Sequence, residues 1–507
     1  MIYVILGQTA SGKTNLVCKL ARELKLPVIN ADAFQIYDKL DIGSAKPTKE
    51  EMEGIDFNLV GNVPLTCNYS VKEYQQQARE LIDKYISQGK DIILSGGSFL
   101  YVKAALFNYE FQEEEKDDSL EELSNDELFN MLEKLDYQTS LVIDKNNKRR
   151  LVRAVNMAKN GIKKSEKPIS NKLLYPCKFF NIEISNDEIN SRINQRVDIM
   201  FENGLLNEVK NLINEYDSSL HAFKGIGYKQ VIDDLRMKKV EKDMIEDVKL
   251  ATRQYAKRQR TFLRHQFPNI ISLKSNDIYD YISYDVNRRL RNKASISPIC
   301  LNNIENKNVL VVGVGGVGSI TVSSLVRLGV KNITIIDKDI VDVSNLNRQI
   351  LYVKKDIGIN KVDACKNHLL ELDPYLNIKT ICDFYKDEYI SNDIDFVFDC
   401  IDDSIAKASL AIYCLKNNIP FISATGSGLR LDSTKYVIGN LALTGEPLAK
   451  AYKKSLLKEN FSDFNKIVVA YSKEIPQKRI TSYIGSNVSC PNSEGLALIS
   501  YFISINK

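Results

Sequence analysis

Two glycine-rich loops of different type, each set between a short apolar run and a longer amphipathic one, constrain this chain more than any other feature. The first, GQTASGKT, occupies Gly7 to Thr14 behind IYVIL; the second, GVGGVG, occupies Gly313 to Gly318 behind VLVV. A loop of either kind needs a buried strand to launch it and a helix whose first amides face an anion, so each predicts an α/β unit of its own. The spacing Gly7-x4-Gly12-Lys13-Thr14 predicts a P-loop. There the backbone of Gly7, Gln8, Thr9, Ala10, Ser11 and Gly12 cradles phosphate oxygens, Lys13 adds a point charge and the Thr14 hydroxyl ligates Mg2+. The glycines at 313, 315 and 318 spell G-x-G-x-x-G, and Asp337 closes the next apolar run, as in dinucleotide-binding folds. Alone, that pattern leaves a nicotinamide dehydrogenase and other nucleotide-using enzymes open, although nothing downstream supplies an obvious hydride-handling site.

A length of 507 residues predicts at least two domains. The rhythm of short apolar strands and helices predicts a parallel α/β domain over residues 1–274, with a helical, charged insert at about 110–210. Residues 275–304 are Asn- and Ser-rich and read as a linker, after which the βαβ rhythm restarts over 305–507. Lys and Arg number 69 against 65 Asp and Glu, so any nucleic-acid affinity must come from local basic faces and not from net charge. The nine cysteines form no C-x-x-C and the three histidines (221, 265, 368) lie far apart, so no zinc is expected and a reducing, cytoplasmic setting is. The first strand begins at residue 2, leaving no room for a secretion signal. Val309 to Leu328 has the length of a membrane span, but its glycines and Arg327 predict a buried strand-turn-helix and no membrane partner.

Six ordered stretches narrow the first half: NADAFQIYDKLDIGSAKP (30–47), SGGSFLYVKA (95–104), KRRLVRAV (148–155), RVDIMFENGLLNEV (196–209), KGIGYKQ (224–230) and TRQYAKRQRTFLR (252–264). With these, residues 1 to about 270 resemble the tRNA dimethylallyltransferases. The resemblance implies a P-loop NTPase-like fold with a helical tRNA-binding insert, holding the pyrophosphate of dimethylallyl diphosphate. Its prenyl group would pass to the exocyclic amine of the adenosine 3′ of the anticodon, with Mg2+ on the leaving group. Asp32 becomes the candidate catalytic base and Ser98, where the family usually has Thr, the hydroxyl that orients the amine. Phe99 stands where the family has a second glycine. The implied contacts to the tRNA anticodon stem-loop are Asp32, Ala33, Phe34, Gln35, Arg149, Arg150, Arg153, Arg253 and Lys257. A helix over 252–264 places Arg253, Lys257, Arg260 and Arg264 along one face, which suits RNA or pyrophosphate contact and equally a solvated basic face.

In the second half DKDIVDVSNLNRQILY (337–352), Gly358 and Lys361, FVFDCIDDSIAKASL and PFISATGSG resemble the adenylating superfamily that includes ubiquitin-activating enzymes. The resemblance implies a Rossmann-like adenylating domain. Gly313, Gly315, Gly316 and Gly318 would cradle ATP, Asp337 hold its ribose, Asn345, Arg348 and Lys361 its phosphates, and Asp402 a Mg2+ ion, with Arg348 and Asp402 catalytic. GEPLAKAYKKSLL (445–457), VVAYSKEIP (468–476) and YIGSNVSCPNSEGLALISYF (483–502) narrow it to the tRNA threonylcarbamoyladenosine dehydratases. That family implies ATP-dependent cyclisation of threonylcarbamoyladenosine in other tRNAs, and a homodimer through the second domain. Two alternatives stay open: adenylation of a sulfur-carrier or ubiquitin-like protein, and one half serving as an inactive tRNA-binding module. The arginine-bearing helix that precedes the glycine strand in the superfamily is reduced to the linker, and whether Arg288, Arg289 or Arg291 substitutes stays open. Cys490 reads as a buried structural thiol.

Overall fold

The computed structural model describes residues 1–109, 117–161, 172–267, 270–478 and 484–507, without the side chains of 118 and 149. These residues form two compact units, Met1–Ile282 and Ser283–Lys507.

The first unit is built on six strands: β1 (Ile2–Leu6), β2 (Val28–Asn30), β3 (Phe57–Asn58), β4 (Ile92–Ser95), β5 (Cys177–Ile182) and β6 (Ile271–Leu273), in the order β3-β2-β4-β1-β5-β6. All pairs are parallel. β1 is buried along its whole length, as a central strand covered on both faces must be, which explains its unbroken apolar run. The register pairs Ile5 and Asn30 with Ser95, so the loops leaving β1, β2 and β4 open side by side at one sheet edge. Gly96 permits that closeness: a Cβ there would lie 2.1 Å from the Ala31 carbonyl oxygen.

The insert is shorter than expected. Helices Asn125–Leu135 and Lys148–Lys159 share a small core of their own, formed by Leu128, Leu132, Leu151, Ala154 and Val155. Residues from Cys177 onward belong to the main unit instead. β5 pairs with β1, and helices Asn186–Glu202 and Leu205–Glu215 bury Ile189, Ile193, Val197, Phe201, Val209 and Leu212 in the main core. Much of the dense charge of this stretch, Arg196 excepted, lies on the solvent faces of those two helices and hid their apolar stripes.

The second unit carries β7 (Asn308–Val312), β8 (Asn332–Ile336), β9 (Asn377–Ile381), β10 (Phe396–Asp399), β11 (Phe421–Ala424), β12 (Tyr436–Asn440) and β13 (Val468–Ser472). Their order is β12-β13-β11-β10-β7-β8-β9, parallel except for the antiparallel edge strand β12. The strand-turn-helix expected from Val309 is present, its helix spanning Gly316–Leu328. The closing helix Ser489–Ile505 packs on it, and Gly495 makes the approach possible, since a Cβ there would lie 2.4 Å from Ile320 Cγ2.

The linker expected over 275–304 is instead two helices, Ser275–Ser295 and Pro298–Glu305. Ile278, Tyr281, Ile282, Asp285, Val286 and Arg289 are buried at helical spacing, a pattern masked by the polar residues between them. Arg288 donates to the Val326 carbonyl (2.8 Å) and Arg289 to Glu305 (2.5 Å), so both serve their own unit, whereas Arg291 is exposed. Among the described residues, no helix is long and apolar enough to cross a membrane.

Candidate active sites

In the first unit the phosphate loop follows β1 and ends at Gly12, whose left-handed φ of 90° starts helix Lys13–Leu24. Gly7 is held to glycine as well: a Cβ there would lie 2.8 Å from Ser11 Oγ. Lys13 Nζ donates to the Gly7 and Gln8 carbonyls, each at 2.8 Å. One cleft is lined by Thr9, Lys13, Thr14, Asp32, Gln35, Gly97, Arg196, Tyr255 and Gln259, and Asp32 is its single carboxylate among the described residues. Burial and the neighbouring Arg196 push the Lys13 ammonium down to about 7, against the pull of Asp32. Burial likewise lowers the Arg196 guanidinium. These two cations and the loop amides make a site that favours an anion with several oxygens, except that the Thr9 N–H, expected among those amides, donates to Gln259 Oε1 instead (2.8 Å).

Asp32 follows β2 in a tight turn, accepting from Phe34 N (3.0 Å) and Gln35 N (3.4 Å). Burial raises its carboxyl above the usual range, while those amides, Lys13 and the Gly97 N–H pull it back. A carboxylate balanced in this way is suited to accept a proton. Ser98 Oγ accepts from Ala33 N at 2.9 Å, so the hydroxyl fixes the Asp32 turn and stands beside the Tyr255 hydroxyl. Phe99 begins helix Phe99–Leu106 in ordinary helical backbone and packs against Phe262 and Phe267, ring centroids 5.8 and 6.4 Å away. Gln35 Nε2 donates to the Ser44 and Ala45 carbonyls (3.2 and 3.0 Å), and the Phe34 ring lies against Gly225.

The basic helix extends over Glu241–Gln266. Arg253, Lys257 and Arg260 line a separate cavity of about 340 Å3 with Gln8, Asn186 and Asn190, whereas Arg264 lies outside it. Arg253 also donates to Asn194 Oδ1 at 2.6 Å. Arg150 and Arg153 are exposed on the insert helix, away from both cavities; Arg149 shares that helix, its side chain lying outside the described set. Among the cleft residues to which the sequence assigned no role are Arg196, Tyr255 and Gln259. Gln259 did carry a signal, being a polar residue on the apolar stripe Met244, Val248, Ala256 and Leu263.

In the second unit Gly313 (φ 88°) and Gly318 are confined to glycine, because their Cβ atoms would lie 2.7 Å from the Cys400 carbonyl oxygen and 1.9 Å from the Gly313 carbonyl oxygen. Gly315 and Gly316 face Gln349, Pro491 and Arg348. Asp337, after β8, accepts from Val314 N (2.8 Å) and Asp339 N (2.9 Å), which ties the glycine loop to the acid. Burial raises its carboxyl and Lys361 opposes the rise. Lys361 is buried and pairs with Asp339 at 2.9 Å. Asn345 is buried and caps its own turn by accepting from Asp342 N (3.0 Å), while Arg348 donates to Ser344 O and Asn347 Oδ1. Asp402 is exposed on the loop after β10, two residues beyond the Cys400 that touches Gly313. The predicted residues thus gather where β7, β8 and β10 end.

Behind that edge lies a buried polar network absent from the sequence reading. Lys407 and Asp399 form a fully buried pair at 2.9 Å, and Arg430 pairs with Glu446 at 2.8 Å. Glu494 accepts from Thr425 N (2.7 Å) and Gly426 N (2.9 Å), holding the loop after β11. Burial, then the neighbouring Glu446, push the Glu494 carboxyl up to about 8. Cys490 is fully buried, in agreement with a structural thiol.

The fold and the two sites define a class: a P-loop group-transfer unit whose cleft pairs an anion cradle with a buried carboxylate, followed by a Rossmann-like nucleotide unit. The IPP transferase family matches residues 35–266 and the ThiF family residues 287–463. The tRNA dimethylallyltransferase of Staphylococcus aureus strain MRSA252 is 35% identical over 283 residues, covering 52% of this chain and 90% of the relative. The chain belongs to the tRNA dimethylallyltransferase family, with a ThiF-like adenylating domain fused behind the transferase domain. A solved eukaryotic dimethylallyltransferase acting on tRNA is 26% identical with a TM-score of 0.51, over 58% of this chain and 79% of that one. For the second domain, an Escherichia coli tRNA N6-threonylcarbamoyladenosine dehydratase solved with AMP is 28% identical with a TM-score of 0.40, over 41% of this chain and 88% of that one.

Proposed function

We propose that the chain is a bifunctional tRNA-modifying enzyme acting on the adenosine 3′ of the anticodon. The first site transfers the dimethylallyl group of dimethylallyl diphosphate to N6; the second uses ATP to cyclise threonylcarbamoyladenosine in other tRNAs. The observation that carries the first reading is the single cleft shared by Lys13, Arg196 and Asp32. N6 attacks the allylic carbon, the C–O bond breaks with its electron pair leaving on pyrophosphate, and the N6 proton passes to the Asp32 carboxylate. The adenine must leave the base stack to present that amine, and Ala33, Phe34 and Gln35 lie beside Asp32 to receive it. Ser98 acts by fixing the Asp32 turn. Arg149, Arg150, Arg153, Arg253 and Lys257 are the proposed contacts to the anticodon stem-loop.

Lys13 and Thr14 line the cleft beside Asp32, and the Thr14 hydroxyl would be the protein's donor to a Mg2+ ion carried largely by phosphate oxygens, with the Asp32 carboxylate kept for the N6 proton. Such an ion supplies added neutralisation of the leaving pyrophosphate. Asp402 would hold the corresponding ion beside ATP. In the second site the threonylcarbamoyl carboxylate attacks the α-phosphorus and pyrophosphate leaves; a heteroatom of the carbamoyl group then bonds to the acyl carbon and gives up its proton as the C–O bond to AMP breaks, so the nucleoside loses the elements of water while ATP becomes AMP and pyrophosphate. Gly313, Gly315, Gly316 and Gly318 cradle the ATP there, Asp337 holds its ribose, and Asn345, Arg348 and Lys361 stabilise the charge on its phosphates. The nine free cysteines suit a reducing cytoplasm, and the second unit is proposed to pair two copies of the chain.

The test incubates the full chain with a mixed tRNA pool, dimethylallyl diphosphate and Mg2+, and separately with threonylcarbamoylated tRNA and ATP, followed by mass analysis of nucleosides. Both modified adenosines should form. Carrier-protein-dependent pyrophosphate exchange without RNA would replace the second activity with protein adenylation, and tRNA binding without either product would leave a binding module.

A further inference from the structure

Gln259 is buried, its side chain between two loops that carry different parts of the proposed chemistry. Oε1 accepts from Thr9 N at 2.8 Å and Nε2 donates to the Gly97 carbonyl at 2.9 Å. A peptide N–H only donates and a peptide carbonyl only accepts, so the neighbours fix which way the amide points. Thr9 lies in the phosphate loop. Gly97 lies in the loop after β4, and its N–H bonds to the Asp32 carboxyl. A Cβ at Gly97 would fall 2.7 Å from Gln259 Nε2 and 3.4 Å from Asp32 Oδ2, so any larger residue would push the glutamine amide off this position. The Tyr255 hydroxyl, one turn earlier on the same helix, donates to the same Gly97 carbonyl at 3.3 Å.

We infer that Gln259 is a positioning residue for prenyl transfer: by clamping Thr9 to Gly97 it fixes the phosphate loop relative to the carboxylate that takes the N6 proton. The inference rests on the prenyl-transfer reading above. In-line displacement needs the leaving pyrophosphate and the proton acceptor held at one spacing on opposite sides of the reacting carbon and nitrogen, and a misplacement of about 1 Å costs about 100-fold in rate. The clamp also selects which loop amides face the anion, because the Thr9 N–H is turned to the glutamine. It needs both an acceptor and a donor. Glutamate keeps the acceptor, loses the donor and brings charge towards Asp32; methionine keeps the volume and removes both. The charged and titratable groups around Asp32 are Lys13 and Arg196 from the phosphate-loop helix and from helix Asn186–Glu202, with the Tyr101 and Tyr255 phenols.

The test compares full-length Gln259→Met and Gln259→Glu with the wild type, measuring kcat and KM for dimethylallyl diphosphate from about pH 5.5 to 8.5, calorimetric binding of inorganic pyrophosphate, and thermal melting. Both variants should lose about 10- to 100-fold in kcat while pyrophosphate affinity changes by no more than about threefold. The acid limb of the kcat profile should move up by roughly half a pH unit or more, furthest in Gln259→Glu, because Asp32 loses part of its support through Gly97. A wild-type kcat in both variants, or a loss of kcat that follows pyrophosphate affinity with the acid limb unmoved, would overturn the inference. If Gln259→Met fails to fold, Gln259→Asn takes its place with the same expectations, since its amide is one methylene too short to span the loops. A wild-type chain that makes no dimethylallyladenosine would sink the prenyl-transfer reading itself, a result separate from either outcome above.

Discussion

Glu494→Gln should remove the pH dependence that one buried carboxyl imposes on the second unit. The Glu494 carboxyl titrates near 8 in the fold against 4.5 as its ordinary value, with burial as the main cause. Between those values the folded chain holds a proton that the unfolded chain has lost, so this group's contribution to stability is fully present below 4.5 and falls as pH rises towards 8. The slope is at most about 1.4 kcal/mol per pH unit, or about 3 kcal/mol between pH 5 and 7.5. Glutamine keeps an oxygen for Thr425 N and Gly426 N and replaces the unpartnered O–H of the neutral acid by an NH2, whose second hydrogen likewise meets no partner among the described residues, at a cost of about 1 kcal/mol. The variant is therefore less stable than wild type near pH 5 and more stable near pH 7.5. Hydrogen exchange of peptides covering 309–312 and 396–399 in the full chain, corrected for intrinsic rates, reads this directly. The gap should shift in the variant's favour by up to about tenfold in protection per pH unit. A gap that stays flat would refute the reasoning: Glu494 would then be ionised beside Glu446, with Lys407 and Arg430 supplying the balance.

Four further substitutions test the sites and the sheet that carries the first of them. Asp32→Asn should lower dimethylallyl transfer by about 100- to 10,000-fold and Asp402→Ala should abolish ATP-dependent cyclisation, each leaving the other product intact in the nucleoside assay. Arg196→Met should raise KM for dimethylallyl diphosphate about tenfold or more and weaken inhibition by inorganic pyrophosphate; unchanged values would remove Arg196 from the anion site. Gly96→Ala should destabilise the first unit by about 3 kcal/mol or more, since its Cβ falls 2.1 Å from the Ala31 carbonyl oxygen. Exchange protection in β4 would report that loss, while ATP-dependent turnover in the second unit persists.

Much of this was legible in the chain because phosphate loops are local devices. IYVIL with GQTASGKT, and VLVV with GVGGVG, each fix a strand, a turn and a helix within about twenty residues, and the structure builds both where the spacing put them. Phe99 was harder to place. Its ring is accommodated by Phe262 and Phe267, and that cluster is assembled only by the fold. Arg196 and Gln259 lie inside stretches quoted from the sequence, yet their roles depend on the distant Lys13, Thr9 and Gly97. Glu494 was hidden more deeply, because an acid in a largely apolar helix gives no sign of whether it faces water or, as here, two amides of another loop.

The linker shows how composition misleads, and it sets a practical constraint on separating the activities. The boundary between the units falls inside helix Ser275–Ser295. On the first unit's side Ile278, Tyr281 and Ile282 are buried, with Tyr281 edge-on to Phe180 at 5.1 Å. On the second unit's side Arg288 pairs with Asp285 (3.4 Å) and Arg289 with Glu305 (2.5 Å). Ending the first half at residue 274, where the linker was expected to begin, removes three buried side chains, each worth about 1.5–3 kcal/mol, a total comparable to the stability of a whole domain. Starting the second half at 305 removes the Arg289 partner of Glu305 and the buried side chains of Val286, Cys300, Leu301 and Ile304, a loss of about 1.5–3 kcal/mol for each large apolar one. A first half ending at 295 should therefore melt well above one ending at 274, and a second half beginning at 275 well above one beginning at 305. Separating the halves while keeping both folded requires each to carry its own copy of the helix. Equal melting temperatures within either pair would mean that the helix contributes nothing to that unit, and would return 275–304 to the role of a linker.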